Sequence, residues 1–396
     1  MSDKKIQYID GVSFDNKRIF LRIDCNVSLH PDHTIADDAR IKQSIPSVLT
    51  LLPNNKLILV SHMGRPAGRE AKYSMKVVLD KIRQYIPNVH MSLIEDFRTD
   101  EGKRILAEQK NGEIVMLENL RFYPEEKKDE AGFAQELASL ADVYVNDAFA
   151  VSHRSDASIV GIPTHLPAFG GLLMKKEIEM ISKAINKPKK PFVAIIGGAK
   201  IETKINLIGK LTEIADYVLI GGGLANTFLC AHGYEIGKSF CEYEKVAMAR
   251  HLLFLAAQKH TAILLPSDVV VGDPKNTADA PITKKITNIS PGEQILDIGS
   301  ETKAKWGAVI AKAKTIIWNG PVGYFENPSF RRGTDFIYYA VAENGEAISI
   351  VGGGETVAAI SKKEYLNKIT HISTGGGAML EFIEKGTLPG IEALKK

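Results

Sequence analysis

Ten short apolar runs recur along the chain, and each closes on small, polar or charged residues. The first four are RIFLRIDCN (18–26), KLILVSHMGR (56–65), EIVMLENLR (113–121) and DVYVNDAF (142–149). Six more follow: PFVAIIGGAK (191–200), DYVLIGGG (216–223), TAILLPSD (261–268), TIIWNGPVG (315–323), AISIVGGG (347–354) and THISTGGG (370–377). They lack in-out alternation, and a near-continuous apolar run marks a strand covered on both faces, hence a parallel sheet. Stretches of helical period lie between them, such as 131–140 and 242–258. Strand alternating with helix predicts the α/β class with doubly wound parallel sheets. At 396 residues the chain exceeds what a single core ordinarily serves, so the pattern is read as two Rossmann-like domains. GGLLMKKEIEMISKAINKPKKP (170–191) reads as a helix stopped by Pro188 and Pro191, either a hinge or a plain connector. The expected boundaries are 1–171 for the first domain, 172–188 for the joining helix and 189–376 for the second domain.

The ends of the runs carry the candidate chemistry. In open α/β sheets ligands bind beyond the carboxyl ends of the strands. Glycine there lets a ligand approach the main chain, and a following helix offers free N–H groups to an anion. One glycine triplet after a strand is most simply a turn; GGG three times, together with GGAK, argues for phosphate contact. The two halves differ in kind. Before about residue 160 the run ends supply Arg22, Arg65 and Arg121, with Arg40 and Arg154 in nearby loops; after 190 they supply glycines, Lys200, Lys204, Glu326 and Glu355. A guanidinium grips an anion in bidentate fashion, whereas lysine is a mobile point charge. The spacing of Lys200 and Lys204 predicts two ammonium groups on one face of a helix. The residues thus describe an anion-gripping domain and a nucleotide-like domain.

Composition narrows the partners. A net charge of +3 is too small to call for nucleic acid or a membrane surface. No apolar run approaches the roughly 20 residues that span a bilayer, and the N-terminal MSDKKIQYID has no apolar core of a secretory signal. Cys25, Cys230 and Cys241 form no CxxC, which suits free thiols in a reducing cytoplasm and gives no metal pattern. His30 and His33 of HPDH read as a solvated loop. Neither GxxxxGK[ST] nor a GxGxxG strand–helix unit occurs, so a P-loop or standard dinucleotide fold is disfavoured.

The ordered series LRIDCNV, SHMGRP, ENLRF, DAFAVSHRSDAS, GGAKIETKI, GGGLANTFL, WNGPVGYFE, VGGGETVA and STGGGAMLEFIEKGTLPG resembles the phosphoglycerate kinases along essentially the whole chain. The resemblance implies reversible phosphoryl transfer between 1,3-bisphosphoglycerate and MgADP, giving 3-phosphoglycerate and MgATP after hinge closure. It implies a cytoplasmic monomer that uses Mg²⁺ and small-molecule substrates only. Asp24, Cys25, Asn26, Arg40, His62, Met63, Gly64, Arg65, Arg121 and Arg154 match the glycerate-binding motifs, with Asp147 and His153 in support. Gly197, Gly198, Ala199, Lys200, Lys204, Gly222, Gly223, Gly299, Asn319, Gly320, Pro321, Gly323, Glu326, Gly353, Gly354, Glu355 and Thr356 match the nucleotide side. Arg40, Lys200, Gly376 and Gly377 would act on the transferring phosphoryl, within the stretch Thr374–Gly377, and Glu355 would serve the metal. The tail 377–396 would pack back on the first domain.

Three departures from the family pattern stand out. Glu355 occupies a position where the family usually carries aspartate, and Mg²⁺ tolerates little deviation from an octahedral shell. Cys25 replaces a phenylalanine, which reads as packing. Ala150 and Asp156 alter the loop that carries His153 and Arg154. Two rivals remain at this level: a nucleotide-binding protein of the same fold with weakened or lost catalysis, and an oxidoreductase on a doubly wound sheet.

Overall fold

The computed structural model of the chain describes residues 5–275, 281–360 and 363–395. The first four residues, part of the N-terminal reading above, and Lys396 of the expected tail lie outside the described residues. The chain forms two compact units, one of residues 1–179 with 387–396 and the other of residues 180–386.

The first unit is built on a six-stranded sheet. Its strands are β1 (Arg18–Arg22), β2 (Lys56–Val60), β3 (Met91–Ile94), β4 (Ile114–Leu117), β5 (Val143–Asn146) and β6 (Ala168–Gly170). The order is β3-β4-β2-β1-β5-β6 and every pairing is parallel. Strands β4 and β5 are buried throughout and β1 and β2 nearly so, as continuous apolar runs require when helices cover both faces. Ile19, Leu21, Leu57, Leu59, Ile114, Met116, Val143 and Val145 from the four central strands meet in one core.

The second unit repeats the plan with β7 (Phe192–Ile196), β8 (Tyr217–Ile220), β9 (Ala262–Leu264), β10 (Asp268–Val271), β11 (Ile282–Lys285), β12 (Ile295–Ile298), β13 (Thr315–Asn319), β14 (Ile348–Gly352) and β15 (His371–Ser373). Six of these form a parallel sheet in the order β15-β14-β13-β7-β8-β9. The remaining three make a small antiparallel sheet, β11-β10-β12. In the parallel sheet the winding reverses between β7 and β13, the switch point at which an open α/β sheet presents a ligand site.

All ten sequence-read runs contain a strand. The runs do not show β3 or β6, which are edge strands of four and three residues, nor the antiparallel trio, whose β11 is largely exposed and carries Lys284 and Lys285. The joining helix runs over Leu172–Asn186, and the division between units falls inside it. Its first turn is capped from the end of β5. Asp147, fully buried, accepts the Met174 N–H at 3.0 Å, and burial pushes its carboxyl up to about 7. The C-terminal segment differs from the expected 377–396. Helix Gly377–Lys385 packs on helix Ile205–Ile214 in the second unit, and the chain joins the first unit from Thr387 on. There Ile6 bridges Lys395, and the Gly390 N–H bonds the Ser152 carbonyl at 2.8 Å. No helix among the described residues is long and apolar enough to cross a membrane.

Candidate active site

In the first unit, the ends of β1 and β2 bring the sequence-read residues together. The Ile23 N–H bonds the Val60 carbonyl at 3.0 Å and the Cys25 N–H bonds the Ser61 hydroxyl at 2.9 Å, so Asp24 is held beside His62. Asp24 pairs with Arg40 at 2.5 Å, and its other oxygen lies 3.9 Å from the His62 Nδ1. Arg40 stands in the first turn of helix Ala39–Leu51, about one-third exposed (32%). Arg22 has no solvent exposure; it donates to the Ser158 hydroxyl at 2.9 Å and to its neighbour's carbonyl, that of Ile23, at 2.6 Å. Its third contact is His62 Nδ1 at 3.3 Å.

That contact assigns the histidine tautomer. A guanidinium can only donate, so Nδ1 must accept and the proton sits on Nε2. Burial, with Arg22, Arg121, Arg154 and Arg40 around it, drives the His62 pKa well below the usual histidine range. The imidazole is neutral, and its buried Nε2–H has no partner among the described residues. An unpaired buried donor costs free energy until a ligand accepts from it.

Asn119 ties the rest of this site together. Its amide accepts from Met63 and Arg121 N–H groups, both at 3.1 Å, and donates to the carbonyls of Met63 and Tyr73 at 2.8 and 3.0 Å. Arg121 donates to the Gly64 carbonyl, and the Gly64 N–H reaches Asn26 Oδ1 at 2.9 Å. Burial and the nearby Arg154 bring the Arg121 guanidinium down to about 10, and its Nε lacks a partner among the described residues. Arg154 makes no ion pair among the described residues, and Arg65 is exposed. Cys25 is buried, which pushes its thiol far above the ordinary range and makes it packing rather than chemistry. The residues that sequence reading missed are Asn119, Ser158 and Glu126. Ser158 bridges Arg22 to the buried Glu126 carboxylate at 2.5 Å, and burial raises Glu126 to about 7. Asn119 lay in plain view inside ENLRF; nothing in the sequence marks Glu126.

The second unit builds its site from main chain. At the switch point the Gly197 N–H bonds the Asn319 carbonyl at 2.9 Å and the Gly198 N–H bonds the Pro321 carbonyl at 2.8 Å. A Cβ on Gly197 would sit 2.1 Å from the Pro321 carbonyl oxygen, so no side chain fits there. The Gly222 N–H joins Val322, and the Asn319 amide donates to the Gly352 carbonyl at 2.8 Å. Gly353 takes φ +106°, a conformation L side chains rarely adopt, and any Cβ would meet the Asn319 amide at 2.8 Å. Around these turns opens a cavity of about 310 Å³, lined among others by Gly198, Gly222, Gly223, Pro321, Glu326 and Glu355. Its far wall is apolar, with Leu229, Phe240, Val269 and Leu296.

Several expected residues stand elsewhere. Lys200 and Lys204 do not share a helical face, because residues 201–204 form a turn and the helix begins at Ile205. Lys200 is exposed, while Lys204 folds back so that its ammonium donates to the Gly197 carbonyl at 2.5 Å. Desolvation lowers Lys204 to about 8 against the partial support of Glu355. Thr356 is buried with its hydroxyl already engaged, accepting from the Gly320 N–H at 2.7 Å and donating to the Gly352 carbonyl at 2.8 Å. Gly299 does not line the cavity; the Asp268 carboxylate, which caps helix Ser300–Lys312, fills the space beside it. Gly376, at φ +44°, and Gly377 open the next helix, Gly377–Lys385. Glu242, unmarked in the sequence, accepts the Ile201 N–H at 2.5 Å and so anchors the lysine loop.

Each unit thus sets its polar equipment beyond the carboxyl ends of a parallel sheet, guanidinium-lined in one and peptide-lined in the other. That is the build of an α/β protein that handles phosphorylated small molecules. Comparison with known proteins makes this specific. The sequence model of the phosphoglycerate kinase family matches residues 9–386. The chain is 45% identical over 391 residues to a phosphoglycerate kinase of Moorella thermoacetica, covering 98% of both chains. It is 42% identical over 398 residues to a cytosolic phosphoglycerate kinase of Nicotiana tabacum, covering 99% of this chain and 98% of that one. Its fold resembles the solved phosphoglycerate kinase of Coxiella burnetii with a TM-score of 0.88 at 36% identity, over 98% of this chain and 99% of that one. The chain belongs to the phosphoglycerate kinase family. The motif-based expectation of fold, family and enzyme class is borne out.

Proposed function

We propose that the chain catalyses reversible phosphoryl transfer between 1,3-bisphosphoglycerate and ADP, giving 3-phosphoglycerate and ATP. The observation that carries this reading is the neutral His62, with an unpaired Nε2–H held among Arg22, Arg40, Arg121 and Arg154. A neutral donor ringed by cations suits a small anion that also carries hydroxyl or carboxylate oxygens. In this reading Asp24, Asn26, Arg40, His62, Arg65, Arg121 and Arg154 hold the glycerate, with the loop Met63–Gly64 beneath it. Gly198, Ala199, Lys204, Gly222 and Gly223 meet the nucleotide with Asn319, Gly320 and Pro321, and Glu326 takes the ribose hydroxyls. Arg40, Lys200, Gly376 and Gly377 attend the transferring group, and helix Leu172–Asn186 is the element assigned to hinge movement. The acceptor carboxylate is ionised at neutral pH, so the reaction needs no general base. What remains is alignment and neutralisation of charge on the phosphoryl oxygens.

Among the described residues no group of three or more His, Cys, Asp or Glu could hold a metal ion. Two exposed carboxylates, Glu326 and Glu355, border the cavity; Glu355 follows the glycine triplet 352–354, and so sparse a donor set suits Mg²⁺ carried on nucleotide phosphates. When bound, Mg²⁺ would neutralise phosphate charge there, with Glu355 as its protein ligand. Such a protein works in the cytoplasm as a monomer.

Initial rates with 3-phosphoglycerate and MgATP, coupled to detection of the acyl phosphate, test the reading; saturable turnover is expected, and its absence refutes it. Titrating Mg²⁺ against wild type and Glu355→Ala tests the metal role. The variant should need more Mg²⁺ for half-maximal rate, and superimposable curves remove Glu355 from it.

A further inference from the structure

Cys230 and Cys241 are eleven residues apart in sequence but side by side in the second unit. Cys230 lies near the end of helix Gly223–Ala231, and Cys241 follows the loop after it. Two hydrogen bonds clamp the loop to the helix on either side of Cys241. The Asn226 amide donates to the Phe240 carbonyl at 3.1 Å, and the Glu242 N–H donates to the Thr227 hydroxyl at 3.2 Å. Asn226 and Thr227 precede Cys230 by one helical turn, so the clamp directs Cys241 onto the same face. The Cys241 thiol accordingly lies beside Cys230 and Thr227, and both cysteines pack against the same apolar cluster. Both cysteines are free and partly exposed, unlike the buried Cys25. They border a small apolar cluster with Leu229, Ile236 and Val269.

The residues flanking Cys241 link it to the candidate nucleotide site. Phe240 forms part of the cavity wall, and Glu242 anchors the loop that carries Lys200 and Lys204 through the Ile201 N–H. We propose that Cys230 and Cys241 form a reversible disulfide that lowers nucleotide affinity by moving segment 240–242. The oxidant class is a low-molecular-weight disulfide. One cysteine thiolate attacks it, forming a mixed disulfide and expelling one thiolate; the second cysteine then displaces the other small thiol. The protein pair loses two electrons and two protons, and the small disulfide is reduced to two thiols. Bond formation draws the two sulfurs together to about 2.05 Å, which pulls the loop toward the helix. Burial and the adjacent thiol push Cys241 up to about 11, so Cys241 rests as the thiol.

This inference rests on the cavity being the nucleotide site, and two readouts separate the claims. Full-length enzyme is treated with glutathione disulfide, then examined by peptide mass mapping and by nucleotide and 3-phosphoglycerate kinetics. The expected result is a linked pair of peptides carrying Cys230 and Cys241. With it, KM for nucleotide should rise roughly tenfold, the scale of one lost charge-assisted hydrogen bond. KM for 3-phosphoglycerate should hold, and dithiothreitol should reverse the change. Cys230→Ser, with unchanged basal activity, should show neither the link nor the shift. Absence of the link overturns the pairing. A link that leaves nucleotide KM unchanged, or a shift that persists in Cys230→Ser, overturns the switch. If the untreated enzyme binds no nucleotide at all, the reading of the cavity fails while the link, read by mass, still stands on its own.

Discussion

Arg22 in the first unit and Lys204 in the second are both cations at the carboxyl end of a central strand, and the two units hold them differently. Arg22 is sealed inside a side-chain network of Ser158, Glu126 and His62. Lys204 rests on two main-chain carbonyls, Gly197 at 2.5 Å and Asn319 at 3.4 Å. The first unit makes its site by fixing charged groups against each other in low dielectric, which gives rigid direction to donors such as the His62 Nε2–H. The second clears side chains away so that peptide groups can be approached. One site is specified by which side chains are present, the other by which are missing.

Substitutions can break this contrast, and both tryptophans, Trp306 and Trp318, are buried in the second unit, so fluorescence reports on that unit alone. The largest effect is expected for Arg22→Met. Breaking a buried, hydrogen-bonded cation out of its network should cost about 3 kcal/mol. In urea the circular dichroism transition should shift to lower denaturant while the tryptophan transition holds; a fluorescence shift of equal size would show that the two sites do not stand on separate supports.

A somewhat smaller cost, about 1–3 kcal/mol, is expected for Gly197→Ala from forced overpacking against Pro321, and here tryptophan fluorescence should move. Gly354→Ala is the counterpart, since a Cβ there meets nothing within 4 Å. Its stability should stay within about 0.5 kcal/mol of wild type. Loss of nucleotide affinity in Gly354→Ala, read by calorimetry, would show close approach of a phosphate to that peptide; unchanged affinity would leave the second glycine triplet a mere turn.

The smallest effect sharpens the role of Lys204. With its ammonium lowered to about 8 by desolvation, part of the population is neutral above that pH. A phosphate that replaces the Gly197 carbonyl as its partner would favour the charged form and raise that value. Nucleotide binding at a pH just above 8 should therefore take up a fraction of a proton, visible as a dependence of calorimetric heat on buffer ionisation enthalpy. Lys204→Met should abolish the uptake. Equal heats in all buffers for wild type would make Lys204 a strut for the switch-point turn.

Much of the architecture was legible. Continuous apolar runs marked every central strand of both parallel sheets, because burial on both faces leaves no room for polar alternation. Edge strands β3 and β6 and the antiparallel trio escaped, being too short or too exposed to carry a pattern. Residue types at the strand ends were also visible, so the arginine-rich and glycine-rich characters of the two sites could be read before any coordinate.

The amino-acid sequence by itself determined which chemical groups stand at the mouths of the sheets, since strand period and glycine placement are local properties. Only the tertiary structure decided what each group does. It buried Arg22 while leaving Arg65 in water, turned Lys204 away from Lys200, committed the Thr356 hydroxyl to the backbone, gave His62 its proton on Nε2, and set Cys241 against Cys230. Each of these outcomes depends on partners distant in the chain, such as Ser158 for Arg22 and Asn319 for Lys204. Burial and hydrogen-bond partners are set by such long-range packing, which no local spacing encodes.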